Sequence, residues 1–178
     1  MYSVYAKLSD SISTPFELDQ DFNLEKEQFI SLIESQKASL VILCNPNNPT
    51  GNVMPREDIR AILDVAACPV VVDEAYYEYY GESVADLLSQ YPNLVVTRTF
   101  SKAYGLASAR VGYLLASEET VAVVGKVLLP YHMNSLSLIA AEAVFASRVI
   151  FADNIAHTVQ EKERMFEILN TVGNIRTY

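Results

Sequence analysis

Short apolar runs alternate with amphipathic stretches along most of this chain. "SLVILC" (39–44), "CPVVV" (68–72) and "NLVVTRTF" (93–100) are short, apolar and mostly rich in β-branched residues, which predicts buried strands. "ARVGYLLAS" (109–117) follows a glycine-containing turn and predicts a further strand near the same core. Helical spacing fills the intervals. Phe29, Leu32 and Ile33 share one face of a helix expected around 24–34, with Asn23 as its cap and Glu25 in its first turn. Pro55 suits the first turn of another, whose Ile59, Ile62 and Leu63 repeat at the same period. Residues 1–37 lack glycine and predict a helical start before the irregular "SDSISTPFEL". Residues 134–169 are helix-compatible with a break near 149–153, and "GNIRTY" (173–178) predicts the beginning of a strand whose partners lie outside the chain. Repeated exchange of helix and buried strand is the mark of α/β architecture.

Composition narrows the class of function. A chain of 178 residues, 51% apolar and 20% charged, has enough material for one core, or for one domain and part of another. A net charge of -9 opposes nonspecific nucleic-acid binding, which needs clustered cations against phosphates. Cys44 and Cys68 form neither a disulfide framework nor a paired metal motif, so no metal is expected and a reducing, cytoplasmic setting fits. No stretch is continuously apolar over a membrane's width, and "MYSVYAKLSD" lacks the basic leader and apolar core of a signal sequence.

Three polar connections carry the candidate chemistry. "NPNNPTG" (45–51) is readable as a turn restrained by asparagine side chains, prolines and glycine. It also places Asn48 at the open end of a strand, where its amide can donate to a phenolate-like oxygen. Asp73 emerges after "PVVV" either as a cap or as the buried partner of a protonated heteroaromatic nitrogen, with Tyr76 close by. Tyr77, Tyr79 and Tyr80 are equally readable as surface or interface residues. In "RTFSKAYGLASARVGY" (98–113), Lys102 by residue type alone is a solvated charge. Thr99 and Ser101 beside it, and Arg110 beyond a glycine turn, can instead hold a phosphate. Desolvation and nearby positive charge would then free the Lys102 amine to attack an aldehyde, a combination that points to pyridoxal 5'-phosphate. His132 and His157 read as structural.

At these motifs the chain resembles fold-type I pyridoxal-phosphate aminotransferases (class I/II), most closely the histidinol-phosphate branch, to which "PYHMNSLS" (130–137) adds. The resemblance implies a three-layer α/β/α large domain with a mostly parallel sheet in residues 1–150. It implies an interdomain helix and the start of a small C-terminal domain in 151–178. It further implies Lys102 as the lysine that bonds the cofactor aldehyde and shuttles a proton to and from the substrate α-carbon, Asp73 beside the pyridine nitrogen, and Asn48 with Tyr76 near the phenolic oxygen. Thr99, Ser101 and Arg110 match phosphate-contact positions. "MYSVY" is similar to a branch turn that makes Tyr2 a ring-stacking aromatic. The usual "LAGLR" pattern stands here as "LASAR", with Ser108 and Ala109 replacing glycine and leucine.

The same resemblance implies a homodimer that transfers an amino group from a phosphorylated amino-acid-like substrate to a 2-oxo acid in histidine biosynthesis. It covers only the middle of the family's usual length. An N-terminal arm and glycine-containing phosphate loop before Tyr2, and a carboxylate-gripping arginine after Tyr178, are expected elsewhere, so the fragment alone is expected to bind the cofactor weakly. A related phosphoamino-acid enzyme such as a decarboxylase, or an inactive scaffold, carries the same motifs.

Overall fold

The strand-forming runs become one sheet in a computed structural model that describes residues 1–177. β1 (Val41–Cys44), β2 (Val70–Asp73) and β3 (Leu94–Thr99) pair in parallel, and β4 (Gly112–Ala116) adds antiparallel to β3, in the order β1-β2-β3-β4. Strand alternation sorts the faces. Val41, Leu43, Val70, Val72, Leu94 and Val96 are buried in one cluster, while Ile42, Cys44, Val71 and Asp73 are half-buried on the other side. The antiparallel β4 is where a short return replaces a helical crossover. Gly112 opens it because a Cβ there would lie 2.8 Å from the Arg98 carbonyl oxygen.

Two helices cover the buried face. α1 (Tyr2–Leu8) starts the chain, and α2 (Lys26–Gln36) packs against α3 (Arg56–Val65), bringing Ile33 to Ile59, Ile62 and Leu63 in the main core. Pro55 sits immediately before α3, and Glu57 and Asp58 occupy its first turn, where a helix N-terminus favours acids. Lys26 Nζ reaches Asp58 Oδ1 at 2.7 Å and ties the pair together. Asn23 does not cap α2, whose N-cap is Glu25. The Asp19 carboxylate instead gathers the amides of Asp21 and Asn23 and the Asn23 side chain, closing a separate turn ahead of the helix.

A one-turn α4 (Tyr77–Tyr80) follows β2, and Gly81 ends it at φ 89°. After β4 come α5 (Glu118–Gly125), capped by Ser117, and α6 (Ser135–Ala146), capped by Asn134. A 3-10 turn at Arg148–Phe151 marks the expected break before α7 (Ala152–Asn170), which packs on α4. Phe100, Val111 and Ala141 form a second cluster that joins α6 to the end of β3. The strand expected from "GNIRTY" does not form over 173–177, where turn and irregular backbone stand; Tyr178 lies outside the described residues. Among the described residues no single helix is long and apolar enough to cross a membrane, and the bent pair Ser135–Ala146 and Arg148–Asn170 qualifies by length and composition only.

Candidate active site

Strand register assembles the site. Cys44 is level with Asp73, and Asp73 with Thr97, so the carboxyl ends of the three parallel strands lie side by side. The connections leaving those ends are the three polar motifs.

Most of "NPNNPTG" builds the turn that presents Asn48. Buried Asn45 accepts from the Met54 amide through Oδ1 at 2.7 Å. Asn47 Nδ2 donates to Thr50 Oγ1 at 2.8 Å, and Gly51, at φ 76°, donates its amide to the Asn47 carbonyl. Asn48 is exposed, and its Nδ2 donates to the Tyr76 hydroxyl at 2.6 Å. The two groups expected near a phenolic oxygen are thus already paired across 28 residues of sequence.

Asp73 is half-buried, with Oδ1 accepting the Ala75 amide at 3.1 Å and Oδ2 accepting the Tyr2 hydroxyl at 2.6 Å. Burial, then the hydrogen bond to Asp73, pushes the Tyr2 phenol well above the usual tyrosine range. Tyr2 therefore enters the site through its hydroxyl, and α1 is held to the sheet at the end of β2. Lys102 Nζ stands 5.2 Å from the centre of the Tyr76 ring. The residue is exposed, so the burial expected to free its amine is not supplied by these residues.

The phosphate candidates lie along the β3–β4 connection. The Thr99 hydroxyl accepts the Ser101 amide at 3.1 Å and points at the Val111 carbonyl at 3.4 Å, so it braces the turn that carries Lys102. Gly105, at φ 68°, donates its amide to the Lys102 carbonyl and reverses the chain. Arg110 adopts φ 58° and donates one guanidinium nitrogen to the Ala107 carbonyl at 2.9 Å. Ser108 and Ala109 fall in the 3-10 turn just before it.

A cleft of about 420 Å³ adjoins the Asn48–Tyr76 pair and is lined also by Val53, Tyr79, Tyr80 and Lys162. A wider one of about 890 Å³ lies along α7 beside Pro49, Thr50, His157, Glu161 and Phe166, and neither Lys102 nor Asp73 lines it. Lys102 and Asp73 do not line the smaller cleft either, which meets the site through Asn48 and Tyr76. His132 Nδ1 pairs with the Leu129 carbonyl within its own loop, 2.9 Å away.

Glu74, beside Asp73, has no role among the expectations drawn from the sequence. Its side chain is 1% exposed and ion-paired to Arg98. The signal was available: alternation through "VVVDE" puts Glu74 on the Val72 face, and alternation through "LVVTR" puts Arg98 on the Val96 face.

As a donor set, one half-buried carboxylate, an amide–phenol pair, a primary amine and an arginine beside hydroxyls are complementary, in turn, to a pyridinium nitrogen, a phenolate, an aldehyde and a phosphate. The residues present fit pyridoxal 5'-phosphate.

The family model for aminotransferase class I and II matches residues 1–171. The chain is similar to histidinol-phosphate aminotransferases of Thermoanaerobacter pseudethanolicus, 42% identical over 178 residues, and Caldanaerobacter subterraneus subsp. tengcongensis, 40% identical over the same length. Both alignments cover 100% of this chain and 50% of the relative. The crystal structure of histidinol-phosphate aminotransferase from Sinorhizobium meliloti in complex with pyridoxal-5'-phosphate superimposes with a TM-score of 0.87 at 27% identity, over 97% of this chain and 48% of that one. The chain spans about half the length of the curated relatives it matches, and over that half it belongs to the class I and II aminotransferase family.

Proposed function

We propose that this chain carries the cofactor site of a pyridoxal-phosphate-dependent histidinol-phosphate aminotransferase. The observation that carries the reading is the convergence of Asn48–Tyr76, Asp73 and the Lys102 connection on the ends of three adjacent parallel strands. Pyridoxal 5'-phosphate, when bound, supplies an electron sink for the bonds at the substrate α-carbon. Asp73 holds the ring nitrogen in its protonated form, because a carboxylate pairs best with a cation once both leave water. Asn48 Nδ2 and the Tyr76 hydroxyl bind the phenolic oxygen. Arg110, with Ser101 and Thr99, holds the phosphate. Lys102 Nζ would be the group that holds the aldehyde carbon, whose oxygen would leave as water, and the group that would take a proton from the substrate α-carbon and return one as general acid.

The relatives' names support histidinol phosphate as one substrate, and the motif resemblance extends the proposal to 2-oxoglutarate as the acceptor, in a cytoplasmic homodimer serving histidine biosynthesis. We assign residues 1–150 to the cofactor-binding domain and 151–178 to the interdomain helix and the start of the small domain.

Borohydride reduction in the presence of pyridoxal 5'-phosphate, followed by peptide mapping, should place a stable adduct on Lys102. An unmodified Lys102 would return the chain to the role of scaffold. In the full-length polypeptide, glutamate formed from 2-oxoglutarate supports transamination, and carbon dioxide released from a phosphoamino acid would reassign the chain to the decarboxylases. The 178-residue chain alone should bind the cofactor weakly and turn over little; full specific activity from it would overturn that expectation.

A further inference from the structure

Asp73 ends β2, Lys102 lies on the connection that leaves β3, and residues at those two strand ends are locked together. β2 and β3 pair in parallel with Asp73 level with Thr97. Glu74 and Arg98 are therefore the next cross-strand pair, just past the point where the shared ladder stops. By alternation they lie on the opposite face from Asp73 and Thr99, on the buried side.

That pair is heavily built. Arg98 donates from Nε and NH2 to Glu74 Oε2 at 3.0 and 2.8 Å. Arg98 NH2 also donates to Ser83 Oγ at 2.7 Å, and Ser83 Oγ and the Val84 amide approach Glu74 Oε1 at 3.0 and 2.8 Å. The Arg98 guanidinium carbon lies over the Tyr77 ring, 3.6 Å from its centre. The Glu74 side chain is 1% exposed and that of Arg98 13%.

Such an arrangement is poorly explained by stability. Removing two charges from water costs nearly what their attraction returns, and apolar replacements of a whole buried pair are often neutral. What a two-nitrogen fork and a stacked ring do supply is a fixed distance and angle. Glu74 adjoins Asp73 in the chain, with Tyr76 two residues on. Arg98 adjoins Thr99, whose hydroxyl braces the turn carrying Lys102.

We propose that Glu74 and Arg98, with Ser83 and Tyr77, form a positioning unit that holds Asp73 and Lys102 in register across the ends of β2 and β3. The unit touches no reacting atom and acts through its neighbours. It rests on the cofactor reading given above.

The test uses the full-length polypeptide reconstituted with pyridoxal 5'-phosphate. Glu74→Leu combined with Arg98→Met removes both charges, Arg98→Lys keeps the charge without the fork, and Ile62→Val is a core control away from the site. Three quantities are read: Tm, the pH midpoint of the visible absorbance of the lysine-bound cofactor, and kcat separately from KM. The double variant should keep Tm near that of the control. Its absorbance midpoint should move by about half a pH unit or more. Its kcat should fall about tenfold or more with KM within about twofold, as loss of alignment predicts. Arg98→Lys should fall between.

An unchanged midpoint and kcat in both variants, whatever their Tm, overturns the proposal. If the double variant does not fold, Arg98→Lys decides by the same midpoint and kcat. A parent protein that takes up no cofactor refutes the underlying reading instead, and a parent that takes it up beside unaltered variants refutes the positioning unit alone.

Discussion

Asp73 presents two oxygens with different partners, the Ala75 amide on Oδ1 and the Tyr2 phenol on Oδ2. A pyridinium nitrogen would compete with the phenol for Oδ2 while using the tyrosine ring as a stacking face. The two roles of Tyr2 are separable. Tyr2→Phe should leave cofactor affinity within about twofold or raise it, whereas Tyr2→Ala should lower it about tenfold, the worth of one aromatic contact; fluorescence titration measures both. Asp73→Ala should cost about ten- to a hundredfold in the same titration, the range of a hydrogen bond to a charged group. Glu78 is the residue that stability resists. Burial raises its carboxyl above the ordinary 4.5, and Glu74 adds to the rise, while a backbone hydrogen bond and Arg98 offset part of it. A raised carboxyl favours folding while protonated and loses that contribution as pH climbs through the folded value. Glu78→Gln should therefore raise Tm at pH 7, with the gain vanishing toward pH 4; an equal gain at both would show that charge is not the cause.

At the scale of elements, each connection gets its shape from one backbone demand. Gly112 is fixed by the Arg98 carbonyl, a neighbour that cannot yield as a flexible side chain would. Gly112→Ala should cost about 1–3 kcal/mol in urea unfolding, as overpacking against rigid atoms does. An unaltered midpoint would mean that β4 shifts freely. The strands were legible because short β-branched runs have few alternatives. The placement of Asn48, Asp73 and Lys102 at or just past strand ends was legible because each follows such a run. Legibility ended where partners are distant in sequence: Tyr2 meets Asp73 across 71 residues, and no local pattern announces that contact. Asn23 does not serve as the expected cap because Asp19, four residues earlier, holds both its amide and its side chain in a separate turn. The direction of β4 was equally hidden, since alternation reports faces and not polarity. Glu74 and Arg98 lie between these cases, for their faces were readable singly and their pairing needed the register.

For the whole molecule, the question is what covers the surfaces these residues leave bare. Among the described residues β1 and β4 form the sheet edges, and Val127, Leu129, Leu136 and Ile139 are exposed around α5 and α6. Open edges and contiguous apolar surface are what additional polypeptide or a second copy normally covers. The relatives are about twice as long as the aligned chain, so both kinds of cover have a source. The 178-residue chain alone should bind an apolar fluorescent dye strongly and self-associate with rising concentration. At the relatives' full length, dye binding should fall and sedimentation should give a single dimeric species. Leu129→Asp separates the two covers: if a second copy packs there, the long polypeptide becomes monomeric while still dye-silent elsewhere. If its own added segments pack there, the variant loses Tm and remains a dimer. A 178-residue chain that stays monomeric and dye-silent would mean that these apolar side chains pack among themselves, and the requirement for additional cover would be withdrawn.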